Sequence, residues 1–217
     1  MNIAFDMFSP LKKNVSTGTK VDPKQPKLNR SPEADKSLWK AFTKGSEAAF
    51  VDIYNQHFQI LYDYGRQFSG DFEFVKDCIQ EVFISIRTKR SKLPLVSSIK
   101  AYLLKAVRNK ILTEIRDTRK NQFTDINTLP LNFHVVPSYE NVLINRQFND
   151  DQISQIQKSL SLLSERQREA IYHFYYANLG YHEIRDIMGF GSTRAARNLV
   201  YRAISEIRRA LNKPDRW

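Results

Sequence analysis

The 217-residue chain is predicted to be all-α, built as two small helical domains joined by an extended linker. Apolar residues recur at three- and four-residue spacing from about Ser37 to Arg119 and again from about Ser138 to Leu211, which is the period of amphipathic helices. Between Lys120 and Pro137 the pattern dissolves into NQFTDINTLPLNFHVVP, with two prolines and no period. Near the C-terminus, Gly189 and Gly191 separate two short amphipathic segments, and glycine supplies the permissive backbone a tight turn needs. The expected organisation is a flexible basic tail over 1–34, a first helical domain over 35–119, a linker over 120–137 and a second helical domain over 138–217.

The tail contains Pro10, Pro23, Pro26 and Pro32, several lysines and little periodicity, although Ile3, Phe5, Met7 and Phe8 offer it an apolar anchor. A first helix starts near Leu38, Ala41 and Phe42 and is interrupted at Gly45. Ser46 has the side chain to cap the next helix, whose buried side is rich in aromatic residues: Phe50, Tyr54, Phe58, Tyr62 and Tyr64 among Ile53 and Leu61. Gly70 and Asp71 open a third helix through about Thr88, with Phe74, Cys78, Ile79, Val82, Phe83 and Ile86 at core spacing. A basic, proline-containing loop, Lys89 to Ser98, leads into a long helix over Ile99 to Arg119.

Charge narrows the function. The chain carries a net charge of +11 and a pI near 9.7, which favours a polyanionic partner, nucleic acid before membrane. Residues 87–120 hold 11 Lys/Arg against 2 acidic residues, and residues 185–217 hold 8 against 3. Residues 31–86 are acidic, with 5 Lys/Arg against 9 acids. Two basic blocks set apart by acidic ones exceed what a solubilising surface requires.

Cys78 is the only cysteine, so neither a disulfide framework nor a cysteine zinc cluster is expected. No run approaches 18 consecutive apolar residues and the N-terminus lacks the apolar core of a secretion signal, so a cytoplasmic protein without membrane insertion is expected. His182-Glu183 begins like a zinc-binding HExxH motif, but Asp186 stands where the second His belongs. With no glycine-rich phosphate loop and no Cys/His or Ser/His nucleophile context, no enzymatic activity and no cofactor are expected.

Residues 179–211 read as a helix–turn–helix. Ile184, Ile187 and Met188 line its first helix, and Ala196, Val200, Ala203 and Ile207 form the apolar face of its second. Ser192 or Thr193 caps that second helix. Arg194, Arg197, Asn198, Tyr201 and Arg202 fall largely elsewhere, and Arg and Asn there suit bidentate contacts to guanine and adenine edges. The alternative is an ordinary helical hairpin with a solvated basic face.

On the third helix Asp77, Gln80 and Glu81 share one polar face at i, i+3, i+4 spacing, suited to a basic partner surface or simply to solvent. In the basic block Lys92, Lys100, Lys105, Arg108, Lys110 and Arg116 supply phosphate-binding charge, while Tyr102 and Asn109 add an aromatic face and an amide. Cations beside stacking aromatics suit single-stranded nucleic acid. Tyr102 also has a core reading, beside Leu103, Leu104 and Val107.

Three segments in order, DCIQEVF (77–83), AYLLKAVRNKILTEIR (101–116) and LSERQREAIYHFYYANLGYHEIRDIMG (163–189), resemble bacterial RNA polymerase sigma factors of the sigma-70 family, in the two-domain extracytoplasmic-function class. The resemblance spans about residues 37–211. It implies that the Asp77, Gln80, Glu81 face docks on a polymerase coiled-coil, and that the block 88–116 opens the minus-ten promoter element. It also implies that Ser192, Thr193, Arg194, Arg197, Asn198, Tyr201 and Arg202 read the minus-thirty-five element. The implied partners are core RNA polymerase and promoter DNA, with an anti-sigma factor as a further one. Three positions depart from the family's pattern: Thr113 replaces a common Asp, Ile86 a common Trp, and Arg185 a small Ala, giving the helix before the turn a potential phosphate contact. The linker is implied to thread toward the polymerase active cleft, or else to act as a plain tether. The rival readings are a helix–turn–helix transcriptional regulator with a helical N-terminal domain, and an adaptor binding RNA through basic helices.

Overall fold

The computed structural model describes residues 32–118, 133–135 and 150–211. The basic tail, most of the segment 120–137 and the helical signal at 138–149 lie outside the described residues. The N-terminal group comprises α1 (Pro32–Thr43), α2 (Glu47–Gly65), α3 (Phe72–Thr88) and α4 (Ile99–Thr118), with one 3₁₀ turn (Arg90–Lys92) before α4. The C-terminal group comprises α5 (Asp150–Ser161), α6 (Glu165–Ile171) extended by a π turn (Tyr172–Tyr176), α7 (Tyr181–Met188) and α8 (Thr193–Leu211). No strand occurs among the described residues.

Local chemistry fixes the helix ends. The Ser46 hydroxyl accepts from the Ala49 amide at 3.2 Å, and Gly45 makes the turn before it with φ +105°. Asp71 caps α3, its carboxylate accepting from the amides of Glu73 and Phe74, both at 3.1 Å. Helix α4 is capped from two directions. The Ser98 hydroxyl takes the Ala101 amide, and buried Asp35, from α1, takes the Ile99 amide at 3.2 Å. With the Trp39 indole N–H donating to the Pro94 carbonyl at 2.8 Å, these bonds moor the loop 93–98 to α1. Each satisfies a backbone group that burial would otherwise leave unpaired.

The core runs through both groups. Trp39, Phe42, Ile53, Leu61, Val75, Ile79, Leu103, Leu104, Val107 and Ile111 fill the N-terminal one. Ile171, Phe174, Tyr181, Ile184, Ile187, Val200 and Ile207 fill the C-terminal one. The two meet where α4 packs against α7. Phe133, from the segment expected to be a linker, is fully buried at this seam. Its ring lies 5.0 Å from Phe68 and 5.9 Å from both Tyr64 and Tyr172, centroid to centroid. Its neighbour His134 donates its amide to the Gln67 carbonyl at 2.9 Å, and Arg168 Nε donates to the Phe133 carbonyl at 2.7 Å. At this point the segment is part of the packing, not a free tether.

Gly65 sits where α2 and α3 come closest. A Cβ there would lie 2.5 Å from Val75 Cγ1 and 3.3 Å from Ile111 Cδ1, and Val75 is stiff about χ1 and fully buried. Gly65→Ala is therefore expected to destabilise the fold by about 1–3 kcal/mol, as overpacking does, despite alanine's better helix propensity. A urea melt in which the variant matches or exceeds the parent would refute this close approach.

Candidate nucleic-acid interface

Helix α8 is positioned from its buried side. Ala196, Val200, Ala203, Ile204 and Ile207 are buried against α6 and α7, which leaves Arg194, Asn198 and Arg202 exposed. Gly189 ends α7 in the left-handed region, φ 69°, with its amide bonded to the Arg185 carbonyl, and so turns the chain sharply enough to start α8. The Ser192 hydroxyl, not Thr193, caps α8 by accepting from the Ala195 amide at 3.2 Å. Arg197 lies over the Tyr181 ring at 5.3 Å, and Tyr201 is half-buried. Arg185 is engaged on its own helix, with Nε 2.8 Å from Asp186 Oδ1 and a terminal nitrogen 3.0 Å from His182 Nε2.

On α3, Asp77, Gln80 and Glu81 are all exposed, while Cys78, Ile79, Val82 and Phe83 are buried. Glu81 pairs with Lys110 of α4, and Lys110 also reaches Glu114 at 2.6 Å. Ile84, one turn beyond Gln80, is exposed as well. The patch is thus acidic with an apolar edge. Burial pushes the Cys78 thiol up to about 11, which keeps it an unreactive core side chain.

The basic residues of 88–116 are not brought together on one face. Lys92, Lys105 and Asn109 are exposed. Tyr102 is half-buried, with its ring edge-on to Trp39 at 5.0 Å, closer to the core reading than to a free stacking platform. Arg116 Nε lies 3.1 Å from Asp117 Oδ1. Lys100 donates to the Ala177 carbonyl at 2.7 Å, and burial lowers its pKa.

Arg108 departs furthest from expectation. Expected among the phosphate contacts, it is only 2% exposed and clamps Glu169 of α6, Nε to Oε1 at 2.7 Å and a terminal nitrogen to Oε2 at 3.3 Å. The Tyr64 hydroxyl donates to the same carboxylate at 2.6 Å, and His173 Nε2 lies 3.7 Å away. In this arrangement Arg108 is closed to any outside partner. Nothing near Arg108 in the sequence names its partner, because Glu169 is 61 positions away. A charged residue on a helix's buried side was the only available signal.

Burial alone would raise the Glu169 carboxyl, but Arg108 and His173 draw it down to about 2. His173, fully buried, is held below its ordinary 6.5 by desolvation, which outweighs the nearby carboxylate. Among the described residues no group of three or more His, Cys, Asp and Glu could hold a metal ion, and no helix is long and apolar enough to cross a membrane.

Comparison with known proteins fits this geometry. Residues 53–121 match the Sigma-70 region 2 family, a stretch that holds most of α2, all of α3 and all of α4. CnrH, solved in complex with the cytosolic domain of CnrY, superposes with a TM-score of 0.55 at 18% identity, covering 82% of this chain and 97% of that one. The sigma factor RpoE of Bartonella quintana, solved with the anti-sigma factor NepR, gives 0.53 at 21% identity, covering 77% and 98%. At such identities the likeness is one of fold. No curated protein matches the chain. Residues 53–121 thus carry a Sigma-70 region 2 domain, and the chain shares the overall helical fold of these two structures.

The two depressed pKa values set a sign for pH. Both groups bind protons more readily unfolded than folded, so each contributes stability at high pH that is lost on acidification. Urea midpoints are expected to be flat from pH 8 to 7 and to fall below about 6.5 as unfolded His173 protonates. A further fall is expected below about 4.5, where unfolded Glu169 does the same. His173→Phe should remove the first decline; its persistence in that variant would show that another group drives it.

Proposed function

We propose that this chain is a sigma factor of the extracytoplasmic-function class, which binds core RNA polymerase and directs promoter-specific initiation. The observation that carries the reading is the pairing, in one chain, of a region 2 match over residues 53–121 with a helix–turn–helix whose recognition helix presents Arg194, Asn198 and Arg202 outward. The face of Asp77, Gln80 and Glu81 serves the polymerase, since it is a polar patch on the exposed side of an amphipathic helix in the least basic part of the chain. Helix α8 reads the minus-thirty-five duplex, where Arg and Asn have the donor geometry for base edges. The block 88–116 opens the minus-ten element, with Lys92, Lys105 and Asn109 outermost. Nucleotide hydrolysis has no part in it: an unpaired base held in a protein pocket captures DNA that has opened transiently. An anti-sigma partner is supported by the two solved relatives, each held in a complex, one of them with an anti-sigma factor by name.

Copurification with core polymerase followed by run-off transcription tests the whole reading. Asp77→Arg with Glu81→Arg should abolish copurification while leaving the circular dichroism of the chain unchanged. If the folded double variant still captures polymerase, the docking face lies elsewhere.

The duplex-reading assignment is independent of that. Arg194→Ala, Asn198→Ala and Arg202→Ala together should cost at least about tenfold in selectivity for a minus-thirty-five duplex, because a single good base contact is worth about 1–3 kcal/mol. Unchanged selectivity in the triple variant would remove α8 from that role.

A further inference from the structure

We infer that Arg197 is a guanine-reading side chain of α8 and that the Tyr181 ring is the residue that positions it. The inference rests on the reading of α8 as the duplex-recognition helix, and it gives that helix's base selectivity a second, buried participant. Arg197 follows buried Ala196 and so stands at the edge of the stripe that packs on α7. A helical side chain leans toward the N-terminus of its own helix. The Arg197 guanidinium carbon lies over the Tyr181 ring, 5.3 Å from its centroid. The residue as a whole is exposed, so seating the guanidinium on the ring leaves N–H donors open to a partner.

The platform under the guanidinium is rigid. Tyr181 opens α7 and is 2% exposed, with its ring stacked on Phe174 at 5.2 Å and an interplanar angle of 15°. Phe174 belongs to the π turn and is itself buried, so the tyrosine ring has no room to swing away. A long arginine stem otherwise samples many rotamers, and ordering it on binding weakens recognition. Cation–π attraction over a fixed ring does part of that ordering before DNA arrives. The side chain then presents a planar fork of donors, which matches guanine O6 and N7 in the major groove. Lysine in the same place would keep the charge and lose the fork. Arg194 lies one turn before Arg197 and Asn198 directly after it, both exposed, so the seated guanidinium stands among the outward donors.

The test reads selectivity rather than attachment, with the full chain assembled on core polymerase. A promoter pool randomised at minus thirty-five is selected for the parent's site, and each guanine of that site is then replaced singly by 7-deazaguanine, which lacks the N7 acceptor. One replacement is expected to weaken the parent by at least about fivefold. Arg197→Lys should bind that modified duplex and the unmodified one alike, while keeping the parent's salt dependence, because the charge is conserved. Tyr181→Leu should reduce the guanine preference by about threefold, and Tyr181→Phe, which keeps the ring, should retain it. In the Arg197→Lys background Tyr181→Leu should cause no further loss of preference. If Tyr181→Leu instead weakens both duplexes equally, in either background, its role is structural and the positioning is overturned. Should that variant not fold, NMR of the parent decides: a ring-current-shifted, ordered Nε–H signal that disappears in Arg197→Lys supports the seat, and a random-coil signal overturns it. If Arg197→Lys keeps the full guanine preference while the triple variant of Arg194, Asn198 and Arg202 loses the site, Arg197 is not the reader and the role of α8 stands. If the parent selects no duplex, the reading of α8 fails and this assignment with it.

Discussion

A guanidinium and a carboxylate placed side by side in a nearly water-free seam constrain everything around them. Arg108 and Glu169 come from helices far apart in the chain, and neither could be buried alone, because an unpaired interior charge is among the most unfavourable features a fold can carry. Their union obliges α4 and α6 to approach, brings the Tyr64 hydroxyl in as a third partner, and leaves His173 neutral beside them. The aromatic cluster of Tyr64, Phe68, Phe133 and Tyr172 then excludes water from the pair, so the polar and apolar parts of the seam depend on one another. By comparison, the exposed pairs of Glu47 with Arg87 and Arg90, or Lys76 with Glu73, are screened by solvent and hold little of the fold together.

The same seam divides the basic charge of the long helix. A helix has a circumference, and α4 uses most of it for packing: Leu103, Leu104, Val107, Ile111 and Leu112 are fully buried. What stays outside is a narrow strip with Lys105 and Asn109. The C-terminal group presents the opposite economy. Helix α8 buries a stripe of small and branched residues and leaves Arg194, Asn198 and Arg202 facing outward. The basic side chains of α8 are largely exposed, whereas those of α4 are partly covered.

The π turn at Tyr172–Tyr176 belongs to the same arrangement. Widening one turn of the helix after Glu169 accommodates four aromatic rings and a histidine in succession, with Tyr172 turned to the seam and Phe174 stacked on Tyr181. Asn178 follows at φ 51°, a conformation asparagine tolerates better than most residues. Irregular backbone at this point joins the scaffold helix to the helix–turn–helix and also supplies the Ala177 carbonyl that holds Lys100.

The sequence by itself determined what is local. Apolar spacing marks α2, α3, α4, α7 and α8; Ser46, Asp71 and Ser192 mark their starts; Gly189 marks the turn; and each follows from interactions within a few residues. The polar strip on α3 and the outward donors of α8 were legible for the same reason, since a helix's period assigns every residue to a side. The tertiary structure alone decided which basic side chains of α4 face solvent. Periodicity can show that Arg108 lies toward the buried side of α4, but not that Glu169, 61 residues on, would meet it there. Nor can an aperiodic, proline-flanked segment reveal that Phe133 is a core residue, because its burial depends on a cavity built by three other elements. Pairing a charge across a seam is a property of distance in space, and one-dimensional spacing carries no record of it.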